Sequence, residues 1–168
     1  MGAGPSAGGG WLDEREQQAW RGFLDLHAQL TLALGRQLQR EAELSTADYG
    51  VLVHLSEAPE EELRVFQLGD ALQWEKSRLS HQLKRMEQRG LVERRACPTD
   101  ARGAHVAITD LGRRTIEQAA PAHVEQIRRL FFDAITAHQV EQLATIAEAV
   151  LANLANDPNS AARHTTGA

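Results

Sequence analysis

A single cysteine, Cys97, is all the thiol the 168 residues contain. That excludes an intramolecular disulfide and a cysteine-built zinc site, and it fits a reducing cytosol. No apolar run approaches the roughly 20 residues that span a bilayer. The opening MGAGPSAGGG has neither the cationic start nor the apolar block of a secretory signal. Gly2 and Ser6 fit a loose acylation pattern, but no second membrane signal accompanies them, so the match is read as coincidence in a Gly-rich tail. The seven histidines are scattered, with no His-Glu-x-x-His and no pair at i, i+4, so no metal site is expected. Nucleophile elbow, Walker loop and dinucleotide-binding glycines are all missing, so neither catalysis nor a cofactor is expected.

Net positive charge is also missing: the formal charge is −5. Its distribution reverses the first impression. Residues 74–114 hold ten Lys/Arg against five Asp/Glu, a net +5, while the other eight cations and eighteen acids leave the rest at −10. An acidic body with one basic island is the footprint of a localised polyanion site; the plainer alternative is a solvated basic face.

The centre of that island is WEKSRLSHQLKRMEQRGLVERR, Trp74 to Arg95. Leu79, Leu83 and Met86 recur at i, i+4 and i+7 and so line one stripe of a helix. The opposite side carries Ser77, His81, Lys84, Arg85 and Gln88. Gly90 stands where a helix ends in a left-handed residue, and Leu91-Val92 begins an extended run. Hydroxyls, an imidazole and cations on a short anchored helix suit the DNA major groove.

Along the chain, helical periodicity runs from about Leu12 to Glu41 through Trp20, Phe23, Leu24, His27, Leu30, Leu34 and Leu38. That is more helix than a small core needs, so part of it is expected to pack on another chain. Ser45 to Asp48 reads as a capping box, and Pro59 stops the helix it opens. Leu63-Arg64-Val65 predicts a short edge strand. Phe66, Leu68, Ala71 and Leu72 predict a short helix closely followed by the basic one, a helix-turn-helix signature. Two extended runs, Leu91–Arg95 and His105–Ile108, flank a Pro/Asp/Gly turn and predict a β-hairpin, the wing of a winged helix. Thr109 can cap a helix from Asp110 to about Phe132, with Pro121 expected to kink it. Thr136 to Gln139 opens a last helix, with Val140, Leu143, Ile146, Ala147, Val150, Leu151 and Leu154 on its inner side.

The expected architecture is mainly α with a small β-hairpin wing: a winged helix-turn-helix domain plus N- and C-terminal helical dimerisation regions. Residues 1–10 predict a flexible tail, 11–43 an N-terminal dimerisation helix, 44–112 the DNA-binding domain, 113–155 C-terminal dimerisation helices, and 156–168 a second tail.

These residues together resemble the MarR family of bacterial transcription regulators over roughly 12–155. The resemblance rests on Ser77-Arg78-Leu79-Ser80-His81-Gln82-Leu83, on Arg89-Gly90-Leu91-Val92-Glu93-Arg94, on Asp100-x-Arg102, and on Ile108-Thr109-x-Leu111-Gly112. It implies a cytoplasmic homodimer that binds double-stranded DNA at a near-palindromic operator, acts as a repressor, and releases DNA when a small, often aromatic, effector acts on it. Ser77, Arg78, Ser80 and His81 lie in the first turns of the basic helix, where such helices meet base edges and phosphates. Arg78 is read as a bidentate guanine reader, with a phosphate contact as the alternative. Ser80 lies nearer the helix side. Lys84 and Arg85 read as phosphate clamps.

In the family's pattern Arg102 enters the minor groove from the wing tip and Asp100 orients the wing; an ion pair within the hairpin is the alternative. Arg94 and Arg95 alternate faces on the first wing strand, so one of them is expected to face DNA or an acidic neighbour. Trp74 is expected to pack on the preceding short helix rather than to stack on a base. Cys97, beside Arg94, Arg95 and Arg102, is read as a passive wing residue rather than an oxidant sensor, because the family's reactive cysteines lie near the N-terminal helix. Trp20, Phe23, His27 and Tyr49 are the candidate lining of an effector pocket, with ordinary core as the alternative. From another functional class, a winged-helix module gripping an acidic protein partner would use the same basic face.

Overall fold

The computed structural model describes residues 11–96 and 104–157. The wing turn with Cys97, Asp100 and Arg102, the stretch 1–10 with Gly2 and Ser6, and residues 158–168 lie outside the described residues. The chain forms two units that divide between His123 and Val124.

The first unit opens with α1, Glu14–Ala42. Asp13 caps it by accepting from the Glu16 amide, and the Glu16 side chain accepts from the Asp13 amide. The helix meets the core only near its C-terminal end, where Gln37 and Leu38 are buried; Trp20, Phe23 and Leu24 stand about half exposed. α2, Thr46–Ser56, starts from the expected Ser45 capping box and buries Val51, Leu52 and Leu55. A 3-10 turn at Pro59–Glu61 leads into β1, Glu62–Arg64.

α3, Val65–Leu72, and α4, Lys76–Gln88, form the helix-turn-helix. Gln73 takes a left-handed conformation, φ 53°, so that its amide reaches the Asp70 carbonyl and the Trp74 amide reaches that of Gly69. The tight reversal lets Leu68, Leu79, Leu83 and Met86 share one core with Leu38, Leu44, Leu52, Leu55 and Val106. Each such side chain, fully buried, contributes about 1.5–3 kcal/mol. Gly90 ends the α4 segment at φ 70°, the left-handed geometry expected of it.

β2, Val92–Ala96, pairs antiparallel with β3, Ala104–Ile108, Val92 opposite Ile108 and Arg94 opposite Val106. β3 also pairs with β1, giving the sheet order β1-β3-β2. The strand ahead of the helix-turn-helix is therefore hydrogen-bonded to the returning strand of the wing. α5, Asp110–Leu130, begins at Thr109. The Thr109 hydroxyl donates to the Gly90 carbonyl (2.6 Å) and accepts from the Gly112 amide (3.0 Å), and the Thr109 amide donates to the Leu91 carbonyl (3.2 Å). Gly112 is a close approach: a Cβ there would collide with the Leu91 carbonyl.

The second unit holds the end of α5, a 3-10 turn at Phe132–Ala134, and α6, Ala137–Ala155. Thr136 caps α6 with the expected box to Gln139. Among the described residues, most of the stripe expected on the inner side of α6 is exposed. Val140 is half-buried, but Leu143, Ile146, Ala147, Val150, Leu151 and Leu154 are exposed, Leu151 with 64% of its surface. Periodicity reveals which face is apolar; it does not say which molecule covers it. No helix among the described residues is long and apolar enough to cross a membrane.

Candidate nucleic-acid interface

α4 separates its side chains as its periodicity requires. Leu79, Leu83 and Met86 are buried, whereas Ser77, Arg78, Ser80, His81, Lys84 and Arg85 are all exposed. Arg78, His81, Lys84 and Arg85, with Ala47, Gln82 and Gln88, line a shallow cleft of about 460 Å³ beside the start of α2. Among the described residues, Arg78, Lys84 and Arg85 hold no carboxylate partner, so their charge faces outward uncompensated. A cationic, water-accessible concavity of this kind attracts a polyanion.

Arg78 is ordered from below. Its guanidinium carbon sits 4.4 Å from the centroid of the Trp74 ring. Trp74 is half-buried and packs against the core cluster. The Arg78 stacking was not anticipated, although the i, i+4 spacing of Trp74 and Arg78 was a readable signal.

The wing strand differs from α4. Arg94 pairs with Glu87 (Nε to Oε2, 3.4 Å). Arg95 pairs with Glu62 at 3.1 Å and Glu93 at 2.7 Å, and hydrogen bonds to Glu93 first and then Glu62 hold its pKa above the usual arginine range. Both wing arginines therefore face acidic neighbours, where one was expected to. Glu87 and Glu62 come from α4 and β1, elements that only folding brings alongside the strand.

Four candidate effector residues do not come together. Trp20, Phe23 and His27 form an exposed ladder along α1, with ring centroids 5.7 and 6.3 Å apart. Tyr49 instead packs on His123 at 4.4 Å, and His123 Nδ1 lies 3.0 Å from Gln37 Oε1. Gln37 is ten residues beyond His27 on α1, about 15 Å at the helical rise, so the ladder and Tyr49 cannot line one small pocket. Burial lowers the His123 pKa from its usual value, and burial, then Glu57, raises that of Tyr49.

Sequence reasoning missed a buried polar cluster behind the cleft. Asp48, only 4% exposed, accepts through Oδ2 from the Ser45 amide (2.9 Å), the Ser45 hydroxyl (2.7 Å) and Arg89 Nη1 (2.9 Å). Its Oδ1 accepts from Gln82 Nε2 at 2.5 Å. The Gln82 carbonyl accepts in turn from Arg85 Nη2, and Arg89 Nη2 donates to the Glu43 carbonyl at 2.6 Å. The available signal was Gln82 itself, a polar residue three positions from Leu79 on the apolar stripe.

A family model described as the MarR family matches residues 42–103. A MarR family transcriptional regulator from Streptomyces coelicolor, solved in complex with DNA, shares 35% identity; the match covers 92% of this chain and 96% of that one, with a TM-score of 0.85. AbsC, a MarR family transcriptional regulator from the same organism, shares 36% identity over 89% of this chain and all of its own length, with a TM-score of 0.84. A mutant MarR from E. coli complexed with operator DNA has the same fold at 23% identity, TM-score 0.73, over 83% of this chain and 99% of that one.

Proposed function

The chain belongs to the MarR family of transcriptional regulators, and from that premise we propose that it binds operator DNA through the outward face of α4. The supporting observation is the division of that helix. Leucines and a methionine hold it from behind, while Ser77, Arg78, His81, Lys84 and Arg85 face solvent with three cations unpaired among the described residues. Arg78 reads a guanine edge, Lys84 and Arg85 grip phosphates, and Ser77, Ser80 and His81 lie on the turns that meet the duplex. Arg102 and Asp100 serve at the wing tip by their place in the motif. Arg94 and Arg95, already engaged by carboxylates, brace the wing.

The protein acts in the cytoplasm as a homodimeric repressor. Support for self-association is the surplus of exposed apolar side chains on α1 and α6, more than a lone soluble chain of this size displays without use. The stretch 44–112 carries DNA binding; 11–43 and 113–155 carry self-association. Two copies of α4 would then enter successive major grooves about 10 bp apart. Relief by a small effector is part of the same proposal, carried over from the family resemblance.

The deciding test is an electrophoretic shift with the duplex just upstream of the protein's own coding sequence, titrated in salt. Binding should weaken steeply with salt yet stay tighter than binding to random duplex. Equal affinity for both duplexes would favour a module that grips acidic protein partners.

A further inference from the structure

Gln82 is 2% exposed, yet it is polar and sits on the buried side of the helix whose other side is the proposed DNA face. Its two ends have opposite polarity, and both are used. The amide nitrogen donates to Asp48 Oδ1 at 2.5 Å, and the amide oxygen accepts from Arg85 Nη2. Only one orientation of the amide satisfies a carboxylate on one side and a guanidinium on the other. Asp48 is fixed independently by Ser45 and Arg89, so the relay starts from an anchored anion. Its far end, Arg85, is exposed in the cleft.

We propose that Gln82 is a positioning residue for DNA contact: it carries the acceptor character of buried Asp48 to the surface and presets the Arg85 guanidinium before the duplex arrives. This rests on the DNA-binding reading above. An arginine held in advance loses less conformational freedom on binding than one that roams. A buried leucine in place of Gln82 fills similar space but offers Arg85 nothing to donate to.

The test is a double-mutant cycle on duplex affinity, using the DNA upstream of the protein's own coding sequence. Gln82→Leu should weaken binding roughly 3- to 10-fold, the cost of immobilising one long side chain. In an Arg85→Ala background the same substitution should change affinity by less than about twofold, because the group it positions is gone. The exchange Asp48→Asn with Gln82→Glu keeps the net charge and reverses the first hydrogen bond: the asparagine amide now donates to the glutamate, which still accepts from Arg85. It should therefore bind more tightly than Gln82→Leu and folds without a lone buried donor. Nitrogen-15 relaxation of the Arg85 side chain without DNA should show faster motion in Gln82→Leu than in the wild type.

Equal losses from Gln82→Leu in both backgrounds, or unchanged Arg85 motion, would overturn the role and leave Gln82 a structural residue only. A wild-type chain that ignores the duplex, or an Arg85→Ala variant that binds as the wild type does, fails the underlying reading instead and removes the role with it.

Discussion

Arg78 lies over Trp74, its guanidinium carbon 4.4 Å from the ring centroid, so a cation on the proposed reading face rests on a ring packed against the core. Trp74→Leu keeps the apolar contact and removes the π face. Operator affinity should fall by about 0.5–1 kcal/mol. Arg78→Ala should cost about 1–3 kcal/mol and relax preference at one base pair. Competition with duplexes substituted one pair at a time checks both.

Lys84→Glu combined with Arg85→Glu should abolish duplex binding while leaving the fold in place. Both side chains are exposed, and the core beneath them is made by Leu79, Leu83 and Met86. A cooperative melting transition, lowered only by the loss of the Arg85 bond to Gln82, together with a lost gel shift is the expected pair of results; retained binding would remove α4 from the interface.

Gly112→Ala should destabilise the protein by about 1–3 kcal/mol, since the added methyl meets the Leu91 carbonyl, which has little room to retreat. Urea unfolding at equilibrium measures it. The change lies away from the exposed face of α4, so at a temperature where the variant is folded, DNA affinity should stay within a few fold.

Ile146→Asp with Leu154→Asp should convert a dimer to a monomer in sedimentation velocity, because each places a charge in the exposed apolar stripe of α6. A double variant that sediments as the wild type would assign self-association to another surface.

His123 gives a pH dependence with a defined sign. Burial lowers its folded pKa below the ordinary 6.5, so the folded state resists protonation more than the unfolded one. Its contribution is present above the unfolded pKa and is lost as pH falls below about 6.5 toward the folded value. His123→Gln, which keeps a donor for Gln37 but cannot titrate, should lose less melting temperature than the wild type between neutral pH and mild acid. Parallel curves would show that His123 is not the group responsible.

Elements with a local signal were legible in the chain. Ser45 and Thr136 announced their caps, Gly90 its left-handed stop, and the spacing of Leu79, Leu83 and Met86 the buried side of α4. The outward set on that helix followed by subtraction. What stayed hidden depended on partners distant in sequence. Asp48 and Arg89 are 41 positions apart, and Arg95 and Glu62 are 33 apart. Nothing in either local pattern distinguishes a cation that will meet a phosphate from one that will meet a glutamate. Tyr49 likewise had an aromatic neighbour, but it was His123 and not the α1 ladder.

The middle place of β3 in the sheet has a mechanical corollary. The strand leading into the helix pair and the strand returning from the wing share a hydrogen-bonded edge, so neither can swing without tearing the other. On the DNA-binding reading, the helix pair and the base of the wing are thus tied through one sheet and would reach a duplex as a unit. Duplexes whose groove widths do not suit that unit would then be discriminated at positions no side chain touches.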